Sequence, residues 1–178
     1  MKTLVVVSHP YPDQSHAINA LQQAAESTPD VVVRNLEALY GDDLNGFDVA
    51  AAQKAHEAAE RIVYLFPIHW FNLTPMLKAY LNQVWAYGWA FGPDGKALRS
   101  KQMQVVVTAG ASRHTYSAEG LIHSTMDEVL TPMKASAYYV GMKYAAPLAF
   151  YDAMGASGEI LAAVQRVFVE RLETPAPV

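Results

Sequence analysis

The chain has 178 residues, 52% of them hydrophobic, with 13 Lys or Arg against 17 Asp or Glu and a net charge of -4. That length suits one domain burying roughly two-thirds of its unfolded surface, and no Lys/Arg-rich run is present to track a phosphate backbone, so nucleic acid is not an expected partner. The absence of cysteine excludes disulfide scaffolds, thiolate metal sites and cysteine nucleophiles.

In chain order, "MKTLVVVSHPYP" has an apolar core too short for a secretory signal and reads as a first strand over 3–8. A helix is expected over 15–27. "VVVRNL" (31–36), with its polar tail, reads as an edge strand, and the Ala-rich 48–59 as a helix with His56 on its surface. "RIVYLF" (61–66) is the third strand. The next helix opens with Thr74 as N-cap and Pro75 at its first position, buries Met76, Leu77, Tyr80, Leu81, Val84 and Trp85, and stops at Gly88. "MQVVVTAG" (103–110) is the fourth strand. Residues 117–140 read as mostly helical with a break near Pro132, and "KYAAPLAFYD" (143–152) as a weaker fifth strand. Ile160, Leu161, Val164, Val167, Phe168 and Leu172 mark one face of a last helix, so the domain is expected over 1–173, followed by a loose tail over 174–178. No apolar run approaches the roughly 20 residues a bilayer crossing needs, and a cytoplasmic protein is expected.

Val-rich strands alternating with helices are the pattern of βαβ units in an α/β domain with a parallel sheet covered on both faces. Five strands with right-handed crossovers imply a doubly wound sheet in the flavodoxin-like order 2-1-3-4-5, whose ligands bind beyond the carboxyl ends of the strands. The loops after strands one, three and four therefore hold the candidate site.

The first of these, "SHPYPDQSHAIN", ends at a helix start, where Ser15 and the amides of His16, Ala17 and Ile18 form a phosphate seat to which His9 adds a hydrogen bond. The plainer alternative is that Ser15 only caps the helix and His9 only shapes the turn. Neither a dinucleotide fingerprint nor a nucleotide P-loop is present. The second loop, "PIHWFNLTP" (67–75), is bulky and flat-sided, as a wall for a flat ligand would be. In the third, "TAGASRHTYS", small residues at Thr108, Ala109, Gly110 and Ala111 let backbone approach a ligand edge, with Tyr116 a few residues on. A phosphate seat, an aromatic wall and a backbone rim match the phosphate, ring and pyrimidine edge of flavin mononucleotide (FMN). FAD is the alternative, disfavoured because no extension is available to cradle an adenosine.

These blocks, with "FPIHWFNLTPMLKAYLNQVWAYGWAFGPDGKALRSK" and "VVVTAGASRHTYSAEG", resemble the flavodoxin-like NAD(P)H:quinone oxidoreductases, especially the short bacterial branch that includes the ancillary flavoproteins of glutathione-regulated potassium efflux systems. The resemblance spans about residues 1–150. It implies a homodimer with ping-pong hydride transfer from NAD(P)H through flavin N5 to a quinone-like acceptor. It further implies that His9 and Ser15 to Ile18 meet the phosphate and ribityl chain, that Pro67, Ile68, His69, Trp70 and Phe71 run along the ring, and that Trp70 and Phe71 wall the substrate side. Thr108 to Ala111 would serve the pyrimidine edge, Tyr116 and His123 the flavin O2 region as the catalytic pair, and Phe91 the neighbouring subunit's pocket. The sequence departs from the family at Ile18, commonly Asn, and at Ala109-Gly110-Ala111, commonly Gly-Gly.

The histidines show no H-x-x-x-H or comparable ligand spacing, so no metal is expected. His114 reads as a loop residue, and the aromatic cluster at 80–91 as a subunit interface. The alternative roles are a regulatory flavoprotein in peripheral contact with a membrane potassium-efflux transporter, its reductase activity secondary, and an electron-carrier flavodoxin.

Overall fold

The computed structural model describes residues 1–174, the side chain of Pro12 excepted. Three strands are buried along their whole length: β1 (Thr3–Val7), β3 (Arg61–Pro67) and β4 (Gln102–Thr108). Such continuous apolar strands persist only when both faces of a sheet are covered. They form the middle of a parallel sheet flanked by β2 (Val31–Asn35) and by β5 (Lys143–Tyr144), in the order β2-β1-β3-β4-β5, with β6 (Leu148–Phe150) also pairing with β4. The flavodoxin-like order expected from the alternation of elements is the one observed, and β2 is an edge strand.

Alternate side chains of each strand enter two cores. Val5, Val7, Val63, Leu65 and Val106 pack with Ile18 and Leu21 of α1 (His16–Glu26) and Phe168 and Leu172 of α7 (Gly158–Glu173). Leu4, Val6, Ile62, Tyr64, Phe66 and Val105 pack on the opposite face, which carries α2 (Leu36–Tyr40), α3 (Val49–Ala58), α4 (Pro75–Val84), α5 (Met126–Val129) and α6 (Thr131–Tyr139). Among the described residues no helix is long and apolar enough to cross a membrane.

Several expectations need correction. Residues 117–125 are turns rather than helix, and helix begins only where Thr125 caps α5 through a reciprocal pair of bonds with Glu128. The fifth strand is split: after the Ala145 amide bonds the Met103 carbonyl at 2.9 Å the pairing with β4 lapses at 146–147, and the Gln104 side chain bonds the Ala146 carbonyl at 2.7 Å across the gap. α4 ends at Val84 rather than Gly88, whose φ of 82° serves the tight turn closed by Gly88 N to Phe91 O. On α7, Phe168 and Leu172 are buried but Ile160 and Val167 are exposed. His56 is fully buried: its Nδ1 donates to the Ala52 carbonyl at 2.9 Å and its Nε2 accepts from the Tyr64 hydroxyl at 3.1 Å. Arg61 is also buried, where its guanidinium meets Thr3 Oγ1 and the carbonyls of Arg171 and Leu172, placing a cation at the negative end of the α7 dipole. The expected loose tail over 174–178 lies outside the described residues from 175 on.

Candidate functional site

The carboxyl ends of β1, β3 and β4 open into a cavity of about 280 Å³. From the β1 side it is lined by His9, Gln14, Ser15, His16 and Ala17, from β3 by Pro67, Ile68 and His69, and from β4 by Thr108 and Gly110, with Ala153 and Met154 closing it.

Ser15 caps α1, its Oγ accepting the Ile18 amide at 3.2 Å. Among the described residues no acceptor holds the amides of His16 and Ala17, the first two of the helix. A helix start of this kind is an anion seat. Ile18 contributes nothing to the cavity: its amide is spent on Ser15 and its side chain is in the core. His9 Nδ1 accepts the Tyr11 amide at 2.9 Å, so the neutral ring carries its proton on Nε2. Burial, and then the neighbouring His69, push its pKa down from 6.5 to about 4. The two imidazoles meet edge to face at 5.8 Å, and His69, itself lowered by burial, faces the cavity with its side chain.

The β3 loop owes its shape to a tight hairpin. His69 and Asn72 exchange backbone bonds of 3.3 and 3.0 Å, and the two residues between them, Trp70 and Phe71, take φ of 46° and 61°. Positions of this kind ordinarily hold Gly or Asn. Bulky side chains held there cost of order 1 kcal/mol each, a strain that collects at functional sites. The result is a Trp70 that is 93% exposed and a Phe71 ring that meets Tyr116 at 6.1 Å, none of the three lining the cavity itself.

On the β4 side the Ala109 amide is spent on the Phe150 carbonyl at 2.8 Å and its side chain is buried. The amides of Gly110 and Ala111 have no acceptor among the described residues, and of the two Gly110 lines the cavity. A Cβ on Gly110 would come within 3.0 Å of the Met154 sulfur, which lies over it. Tyr116 is buried, its hydroxyl pKa raised by desolvation and then by Tyr151, so it stays a protonated donor. The structure does not bring His123 to the cavity: the ring is exposed, and Nδ1 donates to the Ala118 carbonyl at 3.2 Å. Phe91, expected at the neighbouring subunit's pocket, lines a separate groove of about 660 Å³ with Leu81, Trp85, Tyr87, Met133 and Tyr139. That groove is the larger, but the smaller cavity holds the unpaired amides, and chemistry rather than size marks it as the site.

The chain matches the family model described as flavodoxin-like fold over residues 1–172. It belongs to this flavodoxin-like family. Two curated relatives are the uncharacterised NAD(P)H oxidoreductase YdeQ of Bacillus subtilis, 35% identical over 97% of this chain and 86% of the relative, and the glutathione-regulated potassium-efflux system ancillary protein KefF of Salmonella typhimurium, 33% identical over 95% and 94%. Among solved structures, the general stress protein 14 of Treponema denticola in complex with FMN is 34% identical, covers 97% of each chain and superposes with a TM-score of 0.87. Within the flavodoxin-like frame, sequence reasoning missed Gln14, Ala153 and Met154. Gln14 lies inside the first loop, where no local pattern sets it apart from its neighbours. The segment 153–154 reaches the site only because β6 pairs with β4, which sequence periodicity does not reveal.

Proposed function

We propose that this flavodoxin-like chain is an FMN-dependent NAD(P)H oxidoreductase that passes a hydride by way of flavin N5 to quinones or similar flat electrophiles, working in the cytoplasm. The observation that carries the reading is one cavity with unpaired amides at both ends, His16 and Ala17 at one and Gly110 at the other, where the β3 loop turns into a strained Trp70-Phe71 hairpin. An FMN fits this arrangement, with FAD the alternative. When bound, the flavin supplies a ring able to accept two electrons with a proton and return them.

The residues do the rest. His16, Ala17 and the α1 dipole hold the phosphate, while the neutral His9 offers Nε2–H as a further donor. Pro67, Ile68 and His69 follow the ring edge, and Gly110 and Ala111 place fixed N–H groups at the pyrimidine edge, where negative charge develops on reduction. The Tyr116 hydroxyl acts as a donor at the O2 side. Trp70 and Phe71 exclude water and wall the acceptor.

The relatives named for NAD(P)H oxidoreduction and for an FMN complex favour this reading. The apolar groove around Phe91 and Tyr139 favours a homodimer whose second subunit completes the pocket. The likeness to a potassium-efflux ancillary protein favours a second reading, a regulatory subunit in peripheral contact with a transporter, its reductase activity secondary. Purified protein should be yellow, and stopped-flow mixing should show reduction by NADH or NADPH and reoxidation by a quinone. Protein that retains neither FMN nor FAD and cannot be reconstituted with either would defeat the proposal.

A further inference from the structure

Another cavity, of about 370 Å³, is lined by Tyr116 but not by its neighbour Phe71, and its lining includes Arg113, Thr125, Asp127 and Tyr151. A chain of ring contacts runs from it to the Trp70-Phe71 hairpin: Tyr116 meets Phe71 edge to face at 6.1 Å and Tyr151 at a tilt at 5.7 Å, and the Arg113 guanidinium lies over the Tyr151 ring at 4.9 Å. The cation–π contact orients the guanidinium without consuming its N–H donors. No carboxylate pairs with it among the described residues. Arg113 is also the only Lys or Arg within 8–16, 67–75, 108–126 and 145–157, the segments that surround both cavities.

We propose that Arg113 holds the diphosphate of the nicotinamide dinucleotide while the dihydronicotinamide ring lies against the flavin beside Phe71. The inference rests on the oxidoreductase reading and adds to it the group that recognises the donor's charge. A dinucleotide carries its diphosphate one ribose away from the reacting ring, and the guanidinium lies on Tyr151, which is joined through Tyr116 to Phe71. Its planar fork suits two phosphate oxygens at once. Tyr151 and Tyr116, inclined at 52° to each other, give the ribose two ring faces to lie between. Asp127 is the opposing charge in the cavity and limits how strongly the diphosphate is held.

The test separates the two half-reactions. Flavin reduction is followed by stopped flow with NADH and with 1-benzyl-1,4-dihydronicotinamide, a donor of the same reactivity that lacks phosphate. Arg113→Ala should raise the dissociation constant for NADH at least about tenfold, as expected on losing one charge-assisted pair. It should leave reduction by the benzyl donor unchanged and abolish most of the salt dependence of NADH binding. Arg113→Lys should recover part of the affinity, and Asp127→Asn should tighten NADH without affecting the benzyl donor. Equal effects of Arg113→Ala on both donors, or on neither, would overturn the proposal. So would normal NADH binding with impaired reoxidation by a carboxylated quinone, which would assign Arg113 to the acceptor. If neither donor reduces the wild-type flavin, the oxidoreductase reading itself fails.

Discussion

Thr74 Oγ1 lies 2.5 Å from Ser8 Oγ, tying the end of β1 to the N-cap of α4. The protons can be assigned. Ser8 spends its own on Glu37 Oε1 at 2.8 Å, so Thr74 is the donor to Ser8 while also accepting the Leu77 amide at 3.2 Å. One buried hydroxyl thus fixes both the start of the first loop and the end of the Trp70-Phe71 loop.

Thr74→Ala removes the cap and the donor to Ser8 together, leaving a buried serine oxygen one bond short. A lost N-cap costs about 1–2 kcal/mol. Denaturant unfolding should show that loss, and titration of apoprotein with FMN should show weaker binding because the 67–73 loop loses its anchor. Thr74→Ser keeps both bonds and should behave as wild type in both measurements.

Trp70 tests whether the hairpin strain serves function. At φ 46° and 93% exposed, its ring gains little from packing and occupies backbone space that glycine takes freely. Trp70→Gly should therefore leave unfolding stability within about 0.5 kcal/mol of wild type, whereas the β-branched Trp70→Val should cost about 1–2 kcal/mol. Both should retain FMN while kcat/KM for a quinone falls at least about tenfold, as expected if the ring contacts acceptor rather than cofactor. A stable, fully active glycine variant would show that the strain buys nothing at this site.

Much of this frame is legible in the sequence. Val-rich strands between amphipathic helices dictate the sheet order, and Thr74-Pro75 marks a helix start by local chemistry alone. His56 shows where such reading stops. Flanked by alanines it resembles a surface residue, and only the approach of Tyr64 from a neighbouring strand gives its ring a buried partner. Residues 117–125 misled for a related reason: their composition tolerates helix, but bonds such as Gly120 N to Ser117 O and His123 N to Gly120 O close them into turns. Met154 and Arg113 reach their cavities through pairings distant in sequence, a tertiary outcome that no local pattern encodes.

His56 also predicts a pH dependence. Burial is the largest influence on its ring, outweighing the bond to Ala52 and holding the pKa near 4 instead of 6.5. The unfolded chain takes up a proton below about 6.5 and the folded chain only near 4, so between these values the unfolded state binds more protons and stability falls as pH falls. For one such group the loss between pH 7.5 and pH 5 is about 2 kcal/mol. His9 contributes in the same direction but is half-buried, and solvent reduces its share. Denaturant titrations at the two pH values should show His56→Gln to be less stable than wild type at pH 7.5 yet flatter in its pH dependence by about that amount. An unchanged slope would mean that His56 is not buried as a neutral ring.

Gly120 controls the loop that presents Tyr116. It is buried, and a Cβ there would run into the carbonyl oxygens of His114 and Thr115, backbone atoms with no freedom to swing aside. Gly120→Ala must therefore open the 112–123 turn. Most of the core lies in the sheet and its helices, so overpacking this turn should cost only about 1–3 kcal/mol of stability. Tyr116, displaced from its contact with Phe71, should lose its donor position, and turnover should fall by more than the change in FMN affinity. Gly155→Ala is the matched control: it lies next to Met154, nothing stands within 4 Å of its added methyl, and its φ is not positive. It should change stability by less than about 0.5 kcal/mol and leave turnover intact. If the two alanines behave alike, Tyr116 is not held by this turn, and its position must come from Phe71 and Tyr151 alone.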